Sequence, residues 1–218
     1  MPGIFISFEG MEGCGKSTHI QLLAESLRAH GHTVVLTREP GGTALGQTLR
    51  QLLLDPSTAL APGAEVLMML ADRAQHIQDV IGPALNANQI VLCDRFLDST
   101  TAYQGYGRKI DLGLLGQLNT FACAGYMPAL TLLLDVPVTE GLQRAQQRRG
   151  NESADHFEAE SVAFHQRVRE GFLSIARSES QRVYVVDSTR SVAEVQHDIV
   201  THVQNRFANP FVSPKARS

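Results

Sequence analysis

Gly10-Met11-Glu12-Gly13-Cys14-Gly15-Lys16-Ser17 constrains this chain more than any other stretch, because it fits G-x-x-x-x-G-K-[ST]. Such a loop works only between a buried strand and the start of a helix, and the flanks agree. Ile4-Phe5-Ile6-Ser7-Phe8 reads as a strand, and Thr18 to His30 as a helix with Ile20, Leu22, Leu23 and Leu27 on its apolar side. Glycines let successive N–H groups turn inward toward phosphate oxygens, and the helix start adds partial positive charge. Gly10, Met11, Glu12, Gly13, Cys14, Gly15, Lys16, Ser17 and Thr18 are thus the expected triphosphate-binding set. Lys16 is placed for the β- and γ-phosphates and the Ser17 hydroxyl for Mg²⁺.

The rest of the chain repeats the alternation. Apolar runs at 4–8, 33–37, 89–93, 130–135 and 182–186 are separated by helical patterns at 16–30, 43–54, 63–86, 111–123, 138–149, 153–179 and 191–207. Near-continuous apolar strands alternating with helices predict an α/β three-layer sandwich around a five-stranded parallel sheet. At 218 residues and 43% hydrophobic, one domain is expected over residues 1–208, with a loosely held tail at 209–218.

A net charge of −3 and a pI near 6.2 argue against a nucleic-acid or anionic-membrane partner. No apolar stretch approaches the ~18–20 residues of a membrane helix. Cys14, Cys93 and Cys123 show no paired spacing and read as reduced thiols, and no signal-like segment precedes the first strand. A cytoplasmic protein is expected.

In open parallel sheets, ligands gather beyond the carboxyl ends of the strands. The second strand is followed by Thr37-Arg38-Glu39-Pro40-Gly41-Gly42-Thr43, and the third by Asp94-Arg95-Phe96-Leu97-Asp98-Ser99. Asp94 stands where a second acidic residue would hold Mg²⁺. Arg38, set by the rigid Pro40, and Arg95 suit the bidentate grip of a phosphate monoester. Asp94 is followed by Arg95-Phe96-Leu97 and not by the x-x-Gly of a hydrolytic switch protein, and an Asn-Lys-x-Asp signature is absent. A phosphoryl-transfer enzyme is therefore favoured over an NTP-hydrolysing switch, and a kinase for another small nucleotide or deoxynucleoside stays open.

Four segments together resemble the bacterial thymidylate kinase family: Phe8-Glu9-Gly10-x-Glu12-Gly13-x-Gly15-Lys16-Ser17, Thr37-Arg38-Glu39-Pro40-Gly41-Gly42-Thr43, Asp72-Arg73-Ala74-Gln75-His76, and Asp94-Arg95-Phe96-x-x-Ser99-x-x-Ala102-Tyr103-Gln104-Gly105. The resemblance implies transfer of the ATP γ-phosphoryl group to dTMP and a homodimer. It assigns Arg38 and Arg95, beside Pro40, to the dTMP phosphate, and Arg73 to the thymine edge. It gives Ser99 and Gln104 the far side of the base, Tyr103 the sugar face, and Glu12 the sugar 3′-hydroxyl. Met69 stands where the family often stacks a phenylalanine on thymine. Gly13 replaces a loop arginine of the eukaryotic type, which implies that catalytic cations come from a lid over 144–158, chiefly Arg148 and Arg149. Arg144 shares a helix face with Arg148, His156 stands in place of a lid arginine and is expected to add little, and Asp187-Ser188-Thr189-Arg190 is expected beside the adenine.

Overall fold

The computed structural model describes residues 3–150 and 153–207; the 209–218 tail and positions 151–152 of the expected lid lie outside them. The strands are β1 (Ile4–Glu9), β2 (Val34–Arg38), β3 (Ile90–Asp94), β4 (Leu130–Asp135) and β5 (Val183–Asp187). They form one parallel sheet in the order β2-β3-β1-β4-β5. β1 lies at the centre, buried throughout, which is why it carries four apolar residues in six positions with only Ser7 and Glu9 as exceptions at its carboxyl half.

Alternation along β1 splits the core between the two faces. Ile4, Ile6 and Phe8 pack with Leu23 and Leu27 of α1 (Lys16–Ala29) and Ile199 and Val203 of α9 (Val192–Arg206). Phe5 turns the other way, with Val91, Phe96, Ile77 and Ile81. Ser7 satisfies its buried hydroxyl on Thr131, 2.7 Å away. The remaining helices are α2 (Ala44–Leu54), α3 (Pro62–His76), α4 (Gly82–Asn86), α5 (Leu97–Thr100), α6 (Leu112–Cys123), α7 (Val138–Arg149) and α8 (Val162–Ser178).

Three differences from the sequence reading have physical causes. The helical pattern at 63–86 is interrupted by a π-helical turn at Ile77–Ile81. The pattern at 153–179 starts late: Asp155 Oδ1 accepts the Phe157 and Glu158 amides at 2.9 and 2.8 Å in a local turn, and Ser161 caps the true helix start by accepting Phe164 N–H. The segment Leu97–Gly107, read only as a loop motif, is instead helical: α5 followed by π-helical turns at Thr101–Gly107. Its two glycines hide it from periodicity but allow close packing, since a Cβ on Gly107 would sit 2.7 Å from Phe164 and one on Gly105 2.5 Å from Leu112.

Glu9, the last residue of β1, is wholly buried. It accepts the Phe96 amide at 2.8 Å and the Ser99 hydroxyl at 2.5 Å, which pins the turn that carries Arg95. Burial, with Asp98 nearby, pushes its carboxyl from 4.5 up to about 8. Between these values the folded protein keeps a proton that the unfolded chain releases, so stability falls as pH rises through the window. Thermal unfolding of the wild type is expected to lose on the order of a few degrees between pH 5 and pH 8 relative to Glu9→Gln. Parallel pH profiles for the two proteins would contradict this.

Candidate active site

The loops after β1, β2 and β3 meet at one cleft of about 420 Å³ beyond the carboxyl ends of these strands, nucleotide-sized rather than ion-sized, whereas Asp187, Ser188, Thr189 and Arg190 lie outside its lining. The phosphate loop forms its floor. Gly13 has φ 72°, and a Cβ there would lie 2.0 Å from the Gly141 carbonyl oxygen, so only glycine lets the loop rest on α7. Gly10, Met11 and Cys14 are buried beneath the loop, while Glu12, Gly13, Gly15, Lys16, Ser17 and Thr18 line the cleft. Lys16 Nζ donates to the Gly10 and Met11 carbonyls, 2.9 Å each, and is thereby held over the loop. Ser188, after β5, donates to the Cys14 carbonyl at 2.6 Å, and its own carbonyl accepts from Arg144 at 2.9 Å. This braces the loop against the β5 edge.

Ser17 Oγ lies 3.5 Å from Asp94 Oδ2, and Asp94 Oδ1 is buried without a hydrogen-bond partner. A buried carboxylate oxygen with nothing to accept from, next to a loop hydroxyl, is the donor set a hard divalent cation takes.

Opposite the loop stand the arginines. Arg38 is exposed at the end of β2 and lines the cleft beside Pro40, which follows a cis peptide bond. Arg95, at φ 71°, extends from the tip of β3. Its guanidinium donates to Glu12 Oε1 at 2.7 Å, Ser99 Oγ at 3.0 Å and Tyr103 Oη at 3.2 Å, and stands 5.0 Å from the Tyr103 ring centroid. Tyr103 in turn donates to Glu12 at 2.7 Å. Burial alone would raise the Glu12 carboxyl, but Arg95 and Lys16 outweigh it and hold the group below the usual range. The Glu12 carboxylate thus faces the arginine side, away from the loop amides.

Arg73 is almost wholly buried in the far wall. It is fixed by Glu39 (2.9 Å), Asn119 (2.6 Å) and Thr100 (3.0 Å), which leaves part of its five-N–H fork for the cleft it lines. Glu39 also meets His76 Nδ1 at 2.9 Å. Behind the same turn, Asp72 Oδ1 accepts the Gly41 amide at 3.0 Å, and burial together with Glu39 pushes its carboxyl up to about 6. Met69 and Gln104 complete that wall.

The lid residues divide. Arg148 is largely exposed, lines the cleft and stands 3.4 Å from Glu158. Arg149 is held on Glu158 at 2.7 Å and is not part of the lining. His156 sits away from the cleft lining, with Nε2 near Glu65 and Arg108.

Arg50 was not singled out by the sequence, where it reads as an ordinary helix-surface arginine. It lines the cleft, donates to the Pro40 carbonyl at 3.0 Å, and has its pKa lowered by burial and by the neighbouring Arg38 and Arg95. Three guanidinium groups that repel one another within one wall mark a place prepared for an anion. The buried acids Glu9, Glu39 and Glu65 were also missed, because only the fold shows what each carboxylate faces.

The family model for thymidylate kinase matches residues 8–199. The thymidylate kinase of Trichlorobacter lovleyi is 51% identical over 211 residues, spanning 95% of this chain and 100% of the relative. That of Desulfovibrio desulfuricans is 53% identical over 199 residues, 88% of this chain and 91% of the relative. The crystal structure of thymidylate kinase from Ehrlichia chaffeensis superposes with a TM-score of 0.77 at 35% identity, covering 94% of this chain and 100% of that one. With its phosphate loop, its opposed arginines and these matches over nearly the full length, the chain belongs to the thymidylate kinase family.

Proposed function

We propose that the protein transfers the γ-phosphoryl group of ATP to dTMP, giving dTDP. The observation that carries this is one cleft with a phosphate loop on one side and Arg38, Arg50 and Arg95 on the other, in a chain of this family. The loop N–H groups and Lys16 hold the donor triphosphate. Arg38 and Arg95, with Arg50 behind Pro40, grip the acceptor phosphate. The nucleophile is already an anionic phosphate oxygen, so no strong base is required; catalysis is alignment and charge neutralisation. Arg148, with Arg149 beside it, supplies the lid cations that neutralise the transferred group. Ser17 and Asp94 are the residues that would hold Mg²⁺, which neutralises donor phosphate charge when bound.

On the acceptor, Tyr103 and Glu12 are assigned to the sugar, and Arg73, Met69, Ser99 and Gln104 to the base. Ser188 is assigned to the adenine side. A homodimer is supported by Leu67, Leu114 and Phe121, which stand exposed at 62%, 50% and 83% on the mutually packed helices α3 and α6. Three buried free cysteines support a reducing, cytoplasmic setting; among the described residues no helix is long and apolar enough to cross a membrane.

An acceptor screen tests the reading: dTMP, dUMP, dCMP and thymidine at equal concentration, with ADP release coupled to a dehydrogenase signal. The expected result is turnover greatest with dTMP and negligible with thymidine, which lacks the phosphate for the arginines. Equal ADP release without any acceptor would instead mark a hydrolytic switch.

A further inference from the structure

Gln104 and Glu65 are both almost wholly buried, and Gln104 Nε2 donates to Glu65 Oε1 at 2.8 Å. A glutamine can turn its amide either way, and the choice reverses what it offers a ligand. Here the choice is forced. Glu65 is locked as an acceptor by Arg108, whose guanidinium reaches both carboxylate oxygens at 3.3 and 3.0 Å. An ion-paired carboxylate takes only donors, so the Gln104 NH₂ must face Glu65. Gln104 also lines the cleft, which leaves its carbonyl oxygen as the group free to meet a ligand there.

We infer that Glu65 is a specificity-determining positioning residue: it fixes the Gln104 amide so that the base meets an acceptor there, in the same cleft that the donor Arg73 lines. This rests on the function proposed above and adds the rule by which the base is chosen. A wall with one acceptor beside one donor fits a pyrimidine edge that carries N3–H beside a carbonyl, as thymine does. Cytosine presents a bare N3 beside an amino group, which sets acceptor against acceptor and donor against donor. A buried mismatch of this kind costs far more than a lost methyl contact, because both walls are left unpaired.

The same cluster reaches the lid. Arg108 also pairs with Glu160 and lies 3.0 Å from His156 Nε2, while its guanidinium stands 6.0 Å from the Phe157 ring. Residues at the end of the lid and just after it therefore hold the cation that orients Glu65. This gives His156 a supporting place in base selection rather than a role on the phosphoryl group.

Glu65→Gln is the decisive variant, because it keeps shape but lets residue 65 donate as well as accept. The kcat/KM ratio of dTMP to dCMP is expected to fall by roughly tenfold or more, since Gln104 is freed to turn its NH₂ toward the base. KM for ATP should stay near wild type, while the thermal midpoint falls because Arg108 loses a buried counter-charge. An unchanged ratio, with both substrates weakened equally, would overturn the inference. Wild-type protein gives a second readout that needs no variant, in the nuclear Overhauser contacts of the Gln104 Nε2 protons with dTMP bound. Contacts of the Nε2 protons to the Glu65 side chain support the inference, and the absence of any contact to Glu65 overturns it. Wild type unable to phosphorylate dTMP would instead defeat the proposed function itself.

Discussion

Arg95→Ala is expected to lower kcat/KM for dTMP by about three orders of magnitude while the protein remains folded. The size follows from what the guanidinium does. It is placed at the tip of β3 by the Glu9-pinned turn and fixed by Glu12, Ser99 and Tyr103 before any ligand arrives. Alanine removes a charge-assisted grip on the acceptor phosphate and also leaves Glu12, held ionised by Arg95 and Lys16, without its closest cation. Arg95→Lys should recover only part of the loss, because an ammonium cannot reproduce the planar fork that serves several partners at once. Steady-state kinetics with dTMP as the varied substrate checks this, with circular dichroism to establish folding. A loss below about tenfold would remove Arg95 from the phosphate site.

Lys16→Ala carries the other large expectation, a fall in kcat of about three orders of magnitude or more. Unlike Arg95, Lys16 spends its donors on the loop carbonyls of Gly10 and Met11, so it is positioned by the loop and not by the acceptor wall. Its loss should therefore fall on the transferred group, with KM for dTMP changing far less than kcat. Coupled ADP release at saturating dTMP separates the two. A variant with near-normal kcat and a raised KM for dTMP would put Lys16 on the wrong substrate.

The two residues illustrate what one chain discloses. Strand positions were legible because a strand covered on both faces must be apolar along its length, as in Ile4–Phe8 and Leu130–Leu134. The phosphate loop was legible because its glycines are required by contacts as close as the one between Gly13 and Gly141. The Leu97–Gly107 helix was not, since Gly105 and Gly107 lower local helix preference and the segment is held by α8 instead. The partners of Glu39 and Glu65 were equally hidden, because they join residues as far apart as 91 positions, as between Glu65 and His156. Sequence spacing locates groups that act through their own loop, and it is silent on groups that act through a distant neighbour.

The most direct measurement is a crystal structure with dTMP and a non-hydrolysable ATP analogue bound together. Arg38 and Arg95 are predicted within about 3 Å of the acceptor phosphate oxygens, with the donor triphosphate seated on the loop amides from Gly13 to Thr18. Both guanidinium groups turned to solvent, with the dTMP phosphate held elsewhere, would contradict it.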